Sequence, residues 1–372
     1  MILDLHLPTA VVFGRNRLAE LGAQTKRHGG HALLVTGRTA MRANGALEAA
    51  VTSLEGAGVR VTIADTISPD PLASEVDAAA ASARAAGCDV VVGLGGGSAI
   101  DAAKAVSVGL RHGPVGPLVG STLPATGDLT PVVAVPTTGG SGAEVTKGAI
   151  ITDDRRALKS GIRGDDLFPR VALIDPDLLL SVPAPVASAA AFDALAHAVE
   201  GSVARRASPI TRGLAAQALE ILGRRLPEVR GGTSDPGLRE DLALAALLGG
   251  INVANASTCL PHRLQQAMGS VPRVRVSHGD GLAAVYPAWL RLAVPHAEAE
   301  FADIARLLGG SDPHERIAAV YDALGVQAGL IPHGLRAMDV DTLVEAVAGN
   351  TDNDPVPDIG RDTIRAVYEG SL

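Results

Sequence analysis

Aromatic residues are scarce: four Phe, three Tyr and one Trp in 372 residues. Proteins that hold single-stranded nucleic acid stack bases on such rings, so that chemistry is excluded as the main activity. A basic surplus is also missing. The 32 Lys and Arg are outnumbered by 40 Asp and Glu, a formal net charge of −8, which disfavours a phosphate backbone or an anionic membrane as partner. Only two cysteines occur, Cys88 and Cys259, and neither sits in a C-x-x-C motif. A disulfide framework is excluded, and a reducing, cytoplasmic setting is the expectation. No apolar run reaches the roughly 18 residues of a membrane span. The most apolar stretch, around 186–200, is broken by Asp193 and His197. Asp4 interrupts the apolar N-terminus and no basic region precedes it, so no signal peptide is expected.

What the chain has in quantity is small and aliphatic. Hydrophobic residues make up 47% and charged residues 19%, the balance of a globular protein whose core is Ala, Val, Leu and Ile. The length suits two domains. In the first half, short β-branched runs at 32–35, 59–63, 89–92, 131–135 and 171–174 alternate with helical stretches at 17–27, 43–57, 71–86 and 98–112. That alternation predicts βαβ units around a parallel sheet. The second half is different. It reads as helices at 186–205, 209–225, 235–257, 260–269, 279–293, 297–308, 313–325 and 340–348. The change coincides with Pro183 and Pro185, and predicts an α/β domain over 1–180 and an all-α domain over 181–372.

Two turns at strand ends carry chemistry. Gly95-Gly96-Gly97-Ser98 follows the 89–92 strand and opens a helix. Glycine lets backbone approach a ligand closely, and a helix N-terminus with Ser98 as N-cap would present N–H groups to an anion such as a pyrophosphate. The turn matches neither G-x-G-x-x-G nor the P-loop, so a tight βα turn without a ligand explains it equally well. The stretch from Pro136 to Thr146 has three glycines among its hydroxyl residues and suits a second ligand wall at the carboxyl edge of an open sheet; a solvated loop is the alternative.

Asp193 and His197 stand at i and i+4 in an apolar helix, on one face. A buried carboxylate must be paired or metal-bound. With His262 and His278 the pair makes a set of three nitrogens and one oxygen, suited to Fe2+ or Zn2+ with a position open for substrate. A plain Asp–His hydrogen bond in a core is the alternative for the first pair. The other histidines read as surface or supporting residues.

Taken together, Gly95–Lys104, Pro136–Thr146, Ile174–Asp177, Phe192–Glu200 and Ser277–Gly279 resemble the iron-containing (group III) alcohol dehydrogenases, in the family's order and near its spacing. Val12-Phe13-Gly14 is similar to that family's opening strand. The resemblance implies a dinucleotide-binding α/β domain with a parallel sheet, an all-α C-terminal domain, and catalysis in the cleft between them. It implies that Asp193, His197, His262 and His278 ligate one divalent metal, Fe2+ or Zn2+. It implies that Gly95, Gly96, Gly97 and Ser98 hold a pyrophosphate with Asp101 nearby, that Thr137, Thr138 and Ser141 line the cofactor, and that Lys159 reaches its ribose region. A homodimer is the expected assembly.

The sequence departs from the family pattern at three places. Gln266 stands where a second histidine is common, and an amide cannot relay a proton near neutral pH. The linker from His262 to His278 is about two residues longer than usual for the family. The strand at 32–36 runs into Gly37-Arg38-Thr39 instead of an acidic residue. A carboxylate there would repel a 2′-phosphate, whereas Arg38 or Thr39 would bind one, so NADPH is expected to be accepted and favoured over NADH.

The expected function is thus metal-dependent, NAD(P)-linked reduction of small aldehydes or ketones, and the reverse oxidation of alcohols. His262, Gln266 and His278 are the residues nearest the chemistry. Alternatives are reduction of an acidic carbonyl substrate in the manner of maleylacetate reductases, with Arg263, Arg273 and Arg275 as anion partners; a dehydroquinate-synthase-like cyclase; and a silent nucleotide-binding regulator.

Overall fold

The computed structural model describes residues 4–231 and 234–372. They form two compact units, one of Leu7–Thr138 and Gly142–Val182, the other of Pro183–Leu372 with Gly139–Ser141 and residues 4–6.

The first unit holds a six-stranded sheet. Its strands are β1 (Ala10–Phe13), β2 (His31–Gly37), β3 (Arg60–Ile67), β4 (Val90–Gly95), β5 (Val132–Pro136) and β8 (Val171–Ile174). They lie in the order β1-β8-β5-β4-β2-β3, and every pair is parallel. The helices between them are α1 (Leu21–Lys26), α2 (Ala40–Ala43), α3 (Ala46–Gly56), α4 (Ala73–Ala86) and α5 (Gly97–His112). The pleat sorts side chains by parity. Leu33, Val35 and Val91 share one core with Val76 and Ala80 of α4 and Val106 of α5. Ala32, Leu34, Val90 and Val92 share the opposite core with Leu21 of α1 and Leu47 and Leu54 of α3. Because both faces are covered, the central strands read as continuous apolar runs. Each Val or Leu so buried contributes roughly 1.5–3 kcal/mol.

Three features differ from the sequence expectation. The predicted helix at 43–57 starts only at Ala46, as α3, because Asn44-Gly45, with Gly45 at φ +80°, separates it from the unpredicted α2. An antiparallel hairpin, β6 (Gly148–Asp153) and β7 (Leu158–Arg163), was not predicted. Ser98 is not an N-cap: the cap position belongs to Gly96 and α5 begins at Gly97. The Ser98 hydroxyl instead accepts the Asp70 backbone N–H at 3.3 Å.

The second unit is helical: α6 (Ala184–Val203), α7 (Pro209–Arg225), α8 (Pro236–Ala256), α9 (Leu260–Ala267), α10 (His278–Ala293), α11 (Glu298–Leu307), α12 (Pro313–Leu324), α13 (Val340–Ala346) and α14 (Arg361–Glu369). Several starts are written in the sequence as a capping residue followed by proline. Ser208-Pro209, Asp235-Pro236 and Asp312-Pro313 each set the cap's side-chain oxygen on a first-turn N–H, where proline's missing donor costs nothing. Helix α6 is buried on almost every side from Ala187 onward, and its alanines let neighbouring helices come close. Among the described residues no single helix is long and apolar enough to cross a membrane. The unpredicted α14 packs Ile364, Val367 and Tyr368 inward, and the Tyr368 hydroxyl donates to Leu264 O of α9 at 2.8 Å.

Candidate active site

In the first unit the expected nucleotide residues gather at the carboxyl end of the sheet. β4 runs into Gly95 at φ +150°, where a Cβ would also lie 2.8 Å from the Ala99 Cβ; only glycine passes this corner without strain. The chain then enters α5, whose first N–H groups have no acceptor within the helix. Beside it, the Thr137 N–H donates to Gly95 O at 2.9 Å, and a Cβ on Gly96 would lie 3.2 Å from Thr138 Oγ1. Lys159 comes from the hairpin. Its Nζ donates to Asp70 Oδ1 at 2.7 Å, and Asp70 is the residue whose N–H reaches Ser98. Gly37 ends β2, next to β4 in the sheet, and Arg38 and Thr39 follow it. Ser141 falls in the segment Gly139–Ser141, which groups with the helical unit.

Asp101 is the fifth residue of α5, and both of its carboxylate oxygens are engaged. One carboxylate oxygen is 2.9 Å from Lys104 Nζ and the other accepts the Ile150 N–H of β6 at 2.9 Å. These contacts tie the start of α5 to β6. Lys104, which sequence reasoning passed over, is fully buried. Its ammonium donates to Ala143 O at 3.0 Å, to Thr146 Oγ1 at 3.2 Å and to Gly148 O. A buried cation thereby fastens the end of the 136–146 loop.

In the second unit the four proposed ligands converge. Asp193 and His197 stand one turn apart on α6, His262 comes from α9, and His278 is the first residue of α10, capped by Ser277. The Nε2 atoms of His197, His262 and His278 lie 3.5, 3.6 and 3.4 Å from one oxygen, Asp193 Oδ1. One ligand atom each from Asp193, His262 and His278 falls within 4.8 Å of the others. The His197 and His262 rings stack at 4.8 Å. Asp193, His197 and His262 are buried, while the His278 side chain keeps 34% of its exposure, which leaves an open side.

The orientation of the rings has a cause. The His262 Nδ1 lies 2.9 and 2.8 Å from the two oxygens of Glu200, and the His278 Nδ1 lies 2.6 Å from Gln265 Oε1. With Nδ1 donating outward, each Nε2 faces inward, where a bound cation would take the place of a proton. Glu200 has no solvent exposure and also accepts the Cys259 N–H at 2.7 Å. Asp354 accepts the Leu260 N–H at 2.8 Å and the Trp289 indole at 2.9 Å. Two carboxylates thus sit at the N-terminus of α9, where its dipole favours them.

The electrostatics suit a cation. Asp193 Oδ1 and His262 Nε2 are buried without a hydrogen-bond partner, an arrangement that is costly unless something else occupies the centre. Burial opposes ionisation of Asp193, yet the neighbouring histidines hold its carboxyl well below the usual range. Burial pushes His197 down to about 4. Burial acts the same way on His262, but Glu200 and Asp193 outweigh it and raise the ring to about 9. Asp193 among three imidazoles forms a donor set that suits a divalent cation.

Sequence reasoning named Gln266 and missed Glu200 and Gln265. The Gln266 Oε1 is 3.4 Å from Arg263 Nη1, and it is Gln265 that meets a histidine. The signal for Glu200 was present: with Asp193 and His197 it continues the i, i+4, i+7 face of α6.

Residues 8–176 match the family model described as iron-containing alcohol dehydrogenase, and residues 187–372 match its C-terminal domain. The chain is 29% identical to an NAD-dependent methanol dehydrogenase of Bacillus methanolicus, covering 92% of each. It is 33% identical to a 1,3-propanediol dehydrogenase of Klebsiella pneumoniae, covering 91% of this chain and 89% of that one. An archaeal halo-thermophilic alcohol dehydrogenase from a Red Sea brine pool superposes with a TM-score of 0.95 at 27% identity, covering 100% of this chain and 99% of that one. The chain therefore belongs to the iron-containing alcohol dehydrogenase family, oxidoreductases that act on CH–OH groups.

Proposed function

We propose that this protein interconverts small primary alcohols and their aldehydes with a nicotinamide dinucleotide, using a divalent metal held by Asp193, His197, His262 and His278. The observation that carries the reading is the convergence of three Nε2 atoms on Asp193 Oδ1 at 3.4–3.6 Å. A divalent cation held by these four residues would polarise a carbonyl oxygen, and a bound nicotinamide would supply or receive the hydride. The chain's own part is positional. Glu200 and Gln265 fix the imidazoles, and the partly exposed His278 marks the side from which substrate reaches the centre. Gln265 and Gln266 are amides and cannot pass a proton near neutral pH. The printed names of the relatives, methanol and 1,3-propanediol dehydrogenases, support a short-chain substrate. The reading with an acidic substrate loses its support at Arg273, whose guanidinium is already bound to both oxygens of Asp339 at 2.8 and 2.5 Å.

For the cofactor, Gly37 leaves the end of β2 without a carboxylate, so NADP(H) is proposed to be accepted beside NAD(H), with Arg38 as the group that meets a 2′-phosphate. The test is metal analysis of protein purified without added metal, beside NADH and NADPH oxidation rates on a panel of small aldehydes and keto acids. One equivalent of iron or zinc with aldehyde-dependent turnover is expected, both lost in His278→Ala. Full turnover by a metal-free His278→Ala protein overturns the assignment.

A further inference from the structure

Arg38 does not stand alone at the end of β2. Its Nε donates to Thr66 O of β3 at 3.2 Å, and its Nη2 donates to Glu75 Oε1 at 3.0 Å. Glu75 lies in the first turn of α4. Its second oxygen accepts the Ser68 N–H at 3.1 Å, the Ser68 hydroxyl at 2.8 Å and the Leu72 N–H at 3.3 Å. Three donors on one oxygen pin the carboxylate and aim the other oxygen at Arg38. The pair is unequal in freedom: the Glu75 side chain is 13% exposed and the Arg38 side chain 63%.

In doubly wound sheets the strand beside the glycine-rich turn ends at the adenosine ribose. A carboxylate there selects a 2′-hydroxyl, and an arginine accommodates a 2′-phosphate. Here β2 supplies the arginine, and the carboxylate arrives from another element. We propose that Glu75 sets the dinucleotide preference by competing with the 2′-phosphate of NADP(H) for the Arg38 guanidinium. An exposed ion pair is weak, whereas a phosphate offers the guanidinium fork two strong acceptors. Arg38 therefore turns to the phosphate when it is present, and giving up its contact with Glu75 subtracts from the gain. Glu75 shifts the balance toward NAD(H) without abolishing use of NADP(H). This inference rests on the reading that Gly37 and Arg38 flank the nucleotide ribose.

The test uses the full-length, metal-loaded enzyme and one small aldehyde. It compares kcat/KM for NADPH and NADH, and the affinities for 2′-phospho-ADP-ribose and ADP-ribose by calorimetry. Glu75→Gln keeps an acceptor for Ser68 and Leu72 while removing the charge. It is expected to raise the NADPH-to-NADH ratio about threefold, the scale of an exposed ion pair, and Arg38→Ala to lower it about tenfold, the scale of one charge-assisted hydrogen bond. The double variant is expected to show the Arg38→Ala ratio. If Glu75→Gln leaves the ratio unchanged while Arg38→Ala lowers it, the role of Glu75 is overturned and the Arg38 reading stands. A ratio change from Glu75→Gln that persists without Arg38 also overturns it. If Arg38→Ala leaves the ratio unchanged, the ribose reading itself fails.

Discussion

Glu200 grips the Nδ1 edge of His262 with both carboxylate oxygens, at 2.9 and 2.8 Å, and this turns His262 Nε2 toward Asp193. Removing the charge while keeping the shape isolates what that grip does. Glu200→Gln leaves an acceptor for one donor but takes away the negative charge that makes the imidazole a stronger ligand. Metal affinity is expected to fall by about 10- to 100-fold, the usual effect of removing such a supporting partner. Competition of the metallated protein against a chelator measures it, with circular dichroism to confirm the fold. Unchanged affinity would show that His262 is oriented by packing alone.

Adjacent glutamines give a second, sharper contrast. Gln265 accepts from His278 Nδ1 at 2.6 Å, while Gln266 meets Arg263 at 3.4 Å. Gln265→Leu should weaken metal binding by about tenfold more than Gln266→Leu. The reverse order would return Gln266 to the centre and remove Gln265 from it.

How much of this was legible follows from what each signal needs. The parallel sheet was readable because its core strands are buried on both faces, so 32–35 and 90–92 are unbroken apolar runs. The β6–β7 hairpin was not. β6 buries only alternate residues, Ala149, Ile151 and Asp153, and the inward Asp153 breaks the apolar pattern. Lys159 could be named through the family resemblance, but its partner Asp70 lies 89 positions away and no local pattern joins them. Asp193 and His197 were visible as neighbours on one helical face. The convergence of His262 and His278 on them depends on how α6, α9 and α10 pack, and spacing does not encode that. Gln265 and Gln266 differ by one residue, a rotation of about 100° on a helix, which only coordinates resolve.

Glu144 carries a pH signature. It is fully buried in the first unit, and burial pushes its carboxyl up to about 7 from an ordinary 4.5, against the opposing pull of its backbone N–H and Lys104. A carboxyl raised in the folded state binds its proton more tightly there than in the unfolded chain. Its contribution to stability is fully present below pH 4.5 and is lost as pH rises to about 7. The loss amounts to about 3 kcal/mol. Glu144→Gln has no proton to lose, so urea denaturation should find it more stable than the parent at pH 8, with the gap closing near pH 4.5. A gap of equal size at both pH values would assign the difference to packing.

Gly279 ties backbone packing to the proposed metal site. A Cβ there would lie 2.0 Å from Ala189 O and 2.6 Å from Ala189 C, backbone atoms of α6 that cannot rotate away. Gly279 is the second residue of α10, directly after His278, and α6 carries Asp193 and His197. Any side chain at 279 must push the start of α10 off α6, and His278 travels with it. Overpacking of this kind costs about 1–3 kcal/mol or more. Gly279→Ala is therefore expected to lower both the melting temperature and the metal affinity. Gly213→Ala on α7, where nothing lies within 4 Å of the new carbon, should instead gain roughly 0.5–1 kcal/mol from helix propensity. If Gly279→Ala loses stability but binds metal with the parent's affinity, the position of His278 is set by the Gln265 contact and not by the seat of α10 on α6.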